Sequence, residues 1–93
     1  QHLRKSGYAT GMFGKWHLGH HPAEHPMRFG FEEFRGLLCG DGDYAAQISR
    51  NGLPDWWHNE KLAPLSTPAN TTTLITDGAM QFIEQHRARP FFL

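Results

Sequence analysis

The fold is decided by the stretch GYATGMFGKWHLG at residues 7–19. Residues 8–16 are rich in side chains that favour extended backbone, which predicts a β-strand interrupted by two glycines. Residues 1–6 carry basic side chains just before Gly7, a pattern typical of a helix C-terminus because glycine adopts the left-handed cap conformation at little cost. A helix, a glycine cap and a strand in this order predict an α/β sheet.

The other end of the chain predicts a helix followed by a second strand. The helix cap is expected from one of three consecutive threonines, Thr71, Thr72 or Thr73. The helix should run through about His86, with one apolar face formed by Ile75, Ala79, Phe82, Ile83 and His86. Pro90 then stops it, and FFL at residues 91–93 begins an apolar strand. Phe82 and Ile83 are expected to lie in the core.

Composition and charge exclude several classes of protein. Nine Lys and Arg residues balance nine Asp and Glu residues, so the chain lacks the basic excess with which proteins bind nucleic acid. With 39% hydrophobic and 19% charged residues, it does not have the composition of a disordered tail. No apolar run is long enough to span a bilayer. Cys39 is the only cysteine, and alone it forms neither an internal disulfide nor a zinc site.

Two stretches in the middle of the chain predict loops. Residues 17–31 combine glycines and prolines with several histidines, and a second apolar patch follows at residues 29–34. Residues 41–72 show no sustained period and contain many turn-forming residues. A loop of this length inside a compact domain is usually functional or covers another surface.

The two ends of the chain suggest a piece of a larger domain. The chain starts with Gln1 instead of methionine, and it ends in an apolar strand without obvious partner strands. We therefore expect residues 1–93 to form part of one domain that is truncated at both ends.

Lys15 and His17 form the densest chemical cluster, in GKWHLG at residues 14–19. Because side chains alternate along a strand, both can point to one side at the strand's end while Trp16 packs on the other. Strand ends in α/β sheets are the usual ligand sites, and an ammonium beside an imidazole suits an anion. An exposed lysine and a structural, hydrogen-bonded histidine remain the alternative, which the spacing alone favours.

The string at residues 7–19 closely resembles the second signature of the sulfatase family, written G-Y-x-T-x-x-x-G-K-W-H-L-G. Further blocks follow in the family's order. GFEEF at residues 30–34 resembles a G-F-D-E-F segment, and residues 36–44 are similar to a loop that ends in Asp-Tyr. Residues 76–83 resemble a T-D-x-A-x-x-F-I helix, and RPFFL at residues 89–93 resembles the strand after it.

This resemblance implies a partial sulfatase catalytic domain on the alkaline-phosphatase-like, three-layer α/β/α fold. It implies that Lys15 grips the sulfate and that His17 hydrogen-bonds the catalytic formylglycine hydrate or the sulfate ester. In the family, the formylglycine hydrate attacks sulfur and releases the alcohol, and Ca2+ held by Asp and Asn polarises the sulfate. The expected substrate is a sulfated small molecule or glycan, with a carbohydrate favoured by family frequency. Family membership also implies export, to a periplasm, a lysosome or the medium.

Several parts of the family's machinery are missing from the sequence. Formylglycine is made from Cys or Ser in a C/S-x-P-x-R motif, and none is present. Cys39 lacks Pro and Arg at the required offsets and is expected to be a half-buried bystander. The family's Asp pair, its later Asp-Asn calcium ligands and the histidine after the P-F-F-L strand are also absent. No residue is therefore predicted to bind metal, and the 93 residues alone are expected to be inactive.

One departure from the family pattern bears on the substrate. Gly42 stands where many relatives carry a polar residue, often histidine, just before the Asp-Tyr pair. A side chain that touches substrate is missing there, which leaves the substrate class open.

The sequence leaves two other functions open. A phosphodiesterase or phosphonate hydrolase of the same superfamily would use the same site on phosphorus, although GKWHLG favours sulfur. A non-catalytic module that binds an anion or glycan is the alternative from a different class. Against such a module, a chain of this size buries only a modest core.

Three further patterns have structural interpretations at least as good as their functional ones. A metal site at His20, His21 and His25 competes with a solvated loop, because Pro22 and Pro26 deny the histidines a helical frame. Sugar stacking on Trp56 and Trp57 competes with simple aromatic burial. The glycosylation pattern at residues 70–72 is common by chance.

Overall fold

The computed structural model describes residues 1–43, 45–65 and 69–93. Within these residues the helices are α1 (His2–Lys5) and α2 (Thr71–His86). The strands are β1 (Ala9–Lys15), β2 (Glu33–Leu37), β3 (Trp57–His58), β4 (Lys61–Leu62) and β5 (Phe91–Phe92). Neither helix of the described part combines the length and the apolar character that a membrane crossing needs.

All five strands join in one mixed sheet with the order β4-β3-β2-β1-β5. Strand β1 pairs in parallel with β2 on one side and with β5 on the other. Strands β3 and β4 continue the sheet beyond β2 in antiparallel pairs. Helix α2 precedes β5, which is parallel to β1, and packs on β1 and β2 of the sheet, so the predicted α/β class is confirmed.

Strand β1 forms where the sequence predicted it. The short helix α1 ends at Lys5, and Gly7 has a φ of 86°, the left-handed conformation expected after a helix end. The chain then extends from Ala9 to Lys15, with Ala9 and Thr10 buried. The terminal strand β5 begins at Phe91 beside Ala9, as expected from the apolar sequence there.

Helix α2 covers β1 and β2 and ends at the predicted residue, His86. Its cap was predicted wrongly: Asn70 caps the helix, and its side-chain oxygen accepts a hydrogen bond from the backbone N–H of Thr72 at 2.8 Å. Thr71 lies instead in the buried part of the first turn. Asparagine and threonine are both good N-caps, so the sequence alone did not separate them.

Close approach between α2 and β1 depends on glycine. A Cβ atom at Gly11 would lie 2.8 Å from Cε2 of Phe82, and one at Gly78 would lie 3.1 Å from Cδ1 of Phe13. Phe13 and Phe82 pack at a ring-centroid distance of 5.5 Å between these two glycines. The glycine that interrupts the predicted strand at position 11 therefore makes room for the helix.

Replacing Gly11 with alanine is expected to destabilise the complete domain by about 1–3 kcal/mol, because the added methyl group overpacks the contact with Phe82. Chemical denaturation of the domain measures this loss. Thr73→Ala, on the exposed side of α2, is the control and should change stability by no more than about 0.5 kcal/mol. Equal stabilities of Gly11→Ala and the parent protein would contradict the close packing described here.

Buried apolar side chains lie on both faces of the sheet. Phe82 of α2 packs against Phe13 of β1, whereas Phe34 of β2 packs against His25 on the other face. The prediction for Phe82 is confirmed. The prediction for Ile83 is wrong in the described structure, because Ile83 is 40% exposed at the rim of the helix. The periodicity placed both residues on one face, but the sheet beneath α2 reaches only part of that face.

The middle of the chain contains more regular structure than predicted. Strand β2 was not anticipated, and the segment expected to be a long loop contains the two-residue strands β3 and β4. The histidine-rich stretch forms two short 3-10 helices, Pro22–Glu24 and Pro26–Phe29. Tyr44, which ends the proposed Asp-Tyr block, and residues 66–68 lie outside the described residues.

Candidate active site

Lys15 and His17 meet at one glycine beyond the end of β1. Lys15 is the last residue of the strand, and its Nζ donates a hydrogen bond to the backbone oxygen of Gly40 at 2.8 Å. The imidazole of His17 lies against the α-carbon of Gly40, where a Cβ atom would collide with ring atom Nδ1. The structure therefore brings together the two residues that the sequence singled out, with both side chains exposed.

Backbone hydrogen bonds fix the chain between these two residues. The N–H groups of Trp16 and His17 donate to the carbonyl oxygens of Leu37 and Leu38, at 2.8 and 3.0 Å. The ladder between β1 and β2 thus continues past the last residue of each strand. His17 has a φ of 55°, so the chain turns away from the sheet at this residue.

Trp16 anchors the other side of the same segment. Its Nε1 donates to the backbone oxygen of Glu24 at 2.7 Å. Its ring packs against Phe29 and Phe31 at centroid distances of 5.5 and 6.4 Å. The expected division, with Lys15 and His17 on one side and Trp16 packed on the other, is what the structure shows.

The loop that presents Gly40 is held by a buried carboxylate. Asp55 is 4% exposed, and it accepts hydrogen bonds from the N–H groups of Leu38 and Cys39 at 3.0 and 2.8 Å. A third bond comes from Nε1 of Trp57 at 2.9 Å. Asp55 was not predicted as part of the site, because no local sequence pattern connects it to Leu38 and Cys39, which lie 17 and 16 positions earlier.

Cys39 is half-buried, as expected for a bystander thiol. Burial raises its pKa, and Asp55 and Asp41 raise it further by repelling a thiolate. The Sγ atom lies 2.6 Å from Nε2 of His20. A raised pKa disfavours the nucleophilic thiolate, which agrees with the absence of a modification motif around this residue.

The remaining histidines of the loop serve local structure. Nδ1 of His21 accepts from the N–H of Ala23 at 3.2 Å, which caps the first 3-10 helix. His25 caps the second one through the N–H of Met27 at 3.3 Å. The described residues contain no group of three or more His, Cys, Asp or Glu side chains that could hold a metal ion. The capping bonds support the structural interpretation for His21 and His25.

His25 is buried against two aromatic rings, those of Phe34 and Trp57, at centroid distances of 5.3 and 5.9 Å. Burial lowers the pKa of its imidazole, although Glu60 and the backbone of Asn59 oppose that shift. The capping bond also requires an unprotonated Nδ1. The folded state therefore prefers neutral His25.

This preference predicts that acid destabilises the domain through His25. Because the folded pKa lies below the unfolded value of about 6.5, the stabilisation is complete above that value and is lost as the pH falls through the folded pKa. Unfolding measured at about pH 8 and about pH 5 should show a larger loss for the parent protein than for His25→Asn, which keeps a capping oxygen without titrating. His21→Asn controls for the change of cap. Equal losses in the parent protein and His25→Asn would refute this assignment.

The residues of two other sequence-based alternatives, the paired tryptophans and the glycosylation pattern, also have contacts within the fold. Trp56 is 3% exposed, so its ring faces are not available for stacking on a sugar. Trp57 is partly buried and uses its Nε1 on Asp55. Asn70, the acceptor of the glycosylation pattern, uses its side chain as the helix cap. All three are used by the fold itself.

The sequence match and the geometry assign the chain to one family. The Sulfatase family model matches residues 1–93. The chain therefore belongs to the sulfatase family, and the resemblance carried by residues 7–19 is confirmed.

Individual relatives agree with this assignment. N-acetylgalactosamine-6-sulfatase of Mus musculus is 38% identical over 103 residues, which cover 98% of this chain and 20% of the relative. The Homo sapiens protein of the same name is 39% identical over 102 residues, with 98% and 19% covered. Arylsulfatase G of Canis lupus familiaris is 54% identical over 35 residues, or 38% of this chain and 6% of its own. The chain spans about a fifth of the length of the first two.

Solved structures show the same fold. The crystal structure of Ps i-CgsB superposes with a TM-score of 0.69 at 29% identity, covering 98% of this chain and 24% of that one. The same values apply to Ps i-CgsB in complex with k-i-k-neocarrahexaose. The expected sulfatase fold is therefore confirmed for the part of the domain that this chain represents.

Proposed function

We propose that the complete protein hydrolyses a sulfate ester, with Lys15 and His17 as its sulfate-binding pair. The observation that carries this proposal is the meeting of both side chains at Gly40, beyond the carboxyl end of β1. Membership of the sulfatase family supports the reaction class.

The chemistry of the pair suits a sulfuryl group. The Lys15 ammonium supplies a point charge for the peripheral oxygens, which carry negative charge as the sulfur–oxygen bond breaks. The His17 imidazole supplies a hydrogen bond to the ester oxygen or to the nucleophile. The carbonyl of Gly40 holds Lys15 at 2.8 Å, so the ammonium is oriented before substrate arrives.

A carbohydrate substrate is the second part of the proposal. Two relatives carry the name N-acetylgalactosamine-6-sulfatase, and one structural neighbour was solved with k-i-k-neocarrahexaose. The exposed position of Lys15 and His17 leaves room for a bulky ester. Export of the complete protein is proposed on the family resemblance and is tested by cell fractionation.

The family's calcium ion and formylglycine do not fit the residues of this chain. The described residues form no cluster of three ligands, and the 93-residue sequence contains no C/S-x-P-x-R motif. Cys39, with its raised pKa and its contact to His20, does not replace the formylglycine precursor. The calcium ion and the formylglycine would therefore belong to other parts of the domain.

Hydrolysis assays on the complete protein test the proposed reaction. Matched 4-nitrophenyl sulfate and bis(4-nitrophenyl) phosphate should give a higher kcat/KM for the sulfate ester, followed by assays on 6-sulfated N-acetylgalactosamine. Faster turnover of the phosphodiester would favour the phosphorus chemistry of the superfamily. Binding of a sulfated glycan without turnover of either ester would favour a non-catalytic module.

A further inference from the structure

We infer that Asp55 is a positioning residue of this site, acting on Lys15 and His17 through the backbone at residues 38–40. This inference rests on the proposed function of the pair. The carboxylate of Asp55 accepts its hydrogen bonds from Leu38, Cys39 and Trp57.

Asp55 is a buried carboxylate whose oxygens accept several hydrogen bonds. Its carboxylate is 4% exposed and has no Lys or Arg side chain within ion-pair distance among the described residues. Three N–H donors, from Leu38, Cys39 and Trp57, satisfy it at 2.8–3.0 Å. Burying a carboxylate is costly unless it is fully hydrogen-bonded, so these three bonds strongly favour one arrangement of the loop.

The backbone of Asp55 is itself hydrogen-bonded to another segment of the chain. Its own N–H donates to the backbone oxygen of Gln47 at 3.0 Å. Gln47 is completely buried, and its side-chain amide donates to the carbonyls of Ala45 and Ala69 at 2.8 and 2.7 Å. The backbone of Asp55 is therefore hydrogen-bonded to a second segment, separate from the loop at residues 38–40 that its carboxylate holds.

Asp55 is connected to the site through the backbone of Cys39 and Gly40. Cys39, whose N–H it binds at 2.8 Å, is directly followed by Gly40. Gly40 then provides the oxygen for Nζ of Lys15 and the surface against which His17 lies. A shift of residues 38–40 would move both contacts together. Displacements of about 1 Å at a reacting group can reduce turnover about 100-fold, so the link has kinetic consequences.

A double-mutant cycle in the complete protein tests the link. Asp55→Asn replaces one acceptor oxygen with an amide that opposes the N–H donors, and it is expected to reduce kcat/KM for the sulfate ester about tenfold or more. In a Lys15→Ala background, the same substitution should cost less than about threefold, because one of the two groups that it positions is gone. Full additivity would overturn the inference.

The control is Thr10→Val, which removes a buried hydrogen bond of 2.7 Å to Gly30 at the opposite end of β1. It should lower the melting temperature in the manner of Asp55→Asn but leave kcat/KM within about twofold. Equal losses of kcat/KM in Thr10→Val and Asp55→Asn would show that the role of Asp55 is purely structural. All assays are run well below the lowest melting temperature of the set.

Two further outcomes separate this inference from the proposed function. If Lys15→Ala retains normal turnover, the proposed function fails, whatever Asp55 does. If Lys15→Ala abolishes turnover while Asp55→Asn behaves like Thr10→Val, only the inference fails. Should Asp55→Asn not fold, the cycle is run with Trp57→Phe, which removes one of the three donors and keeps an aromatic ring. The same non-additivity with Lys15→Ala is expected, at a smaller amplitude.

Discussion

Lys15→Ala in the complete protein is expected to reduce kcat for a sulfate ester about 100-fold to 1,000-fold, since removing one preorganised charge-stabilising group typically has this effect. The stability of the domain should change by less than about 1 kcal/mol, because the side chain is exposed at the end of β1. Steady-state kinetics together with chemical denaturation measure both effects. A catalytic loss without a stability loss is the signature of a residue that acts on the substrate.

Two variants sharpen this experiment. Lys5→Ala removes an exposed lysine of α1, before the opposite end of β1, and should leave the kinetics unchanged. Lys15→Arg keeps the positive charge but replaces a compact ammonium with a planar guanidinium, so partial activity is expected. Near-normal kinetics of Lys15→Ala would contradict the role assigned to this residue.

Phe82→Ala is expected to produce the largest loss of stability, about 3–5 kcal/mol. The ring is 1% exposed and packs against Phe13, His86 and Phe91 at centroid distances of 5.5, 4.5 and 6.0 Å. Removing the ring leaves a cavity where α2 packs against β1 and β5. Urea denaturation of the complete domain measures the loss.

Gln85→Ala is the matched control for this prediction. Gln85 is exposed on the same helix, and both glutamine and alanine favour helical backbone. Its replacement should change the free energy of unfolding by no more than about 0.5 kcal/mol. If Phe82→Ala cost no more than Gln85→Ala, the packing of α2 described here would be wrong.

The elements predicted correctly from the sequence are those with strong local signals. Strand β1 follows a glycine cap and lies between the aromatic residues Tyr8 and Trp16, and α2 has a 3.6-residue period that ends before Pro90. The expected meeting of Lys15 and His17 followed from side-chain alternation at the end of β1. Their catalytic roles remain predictions, because only activity measurements test them.

The elements that were missed depend on contacts distant in sequence. Strand β2 has the sequence EFRGL, with two charged residues and a glycine that weaken its pattern, and it is stabilised by pairing with β1. Strands β3 and β4 have two residues each, too few for any periodicity. Asp55 reaches Leu38 and Cys39 across 17 and 16 residues. Such a contact has no signature in a single sequence.

The backbone of His17 determines how variants at this position should be interpreted. Its φ of 55° is unfavourable for most residues, and especially for valine, isoleucine and threonine. Alanine at position 17 therefore changes both the imidazole and the local backbone preference, whereas asparagine tolerates this conformation better. A comparison of His17→Ala with His17→Asn separates the loss of the imidazole from the loss of the favoured backbone conformation. A variant with a β-branched residue here would combine both defects.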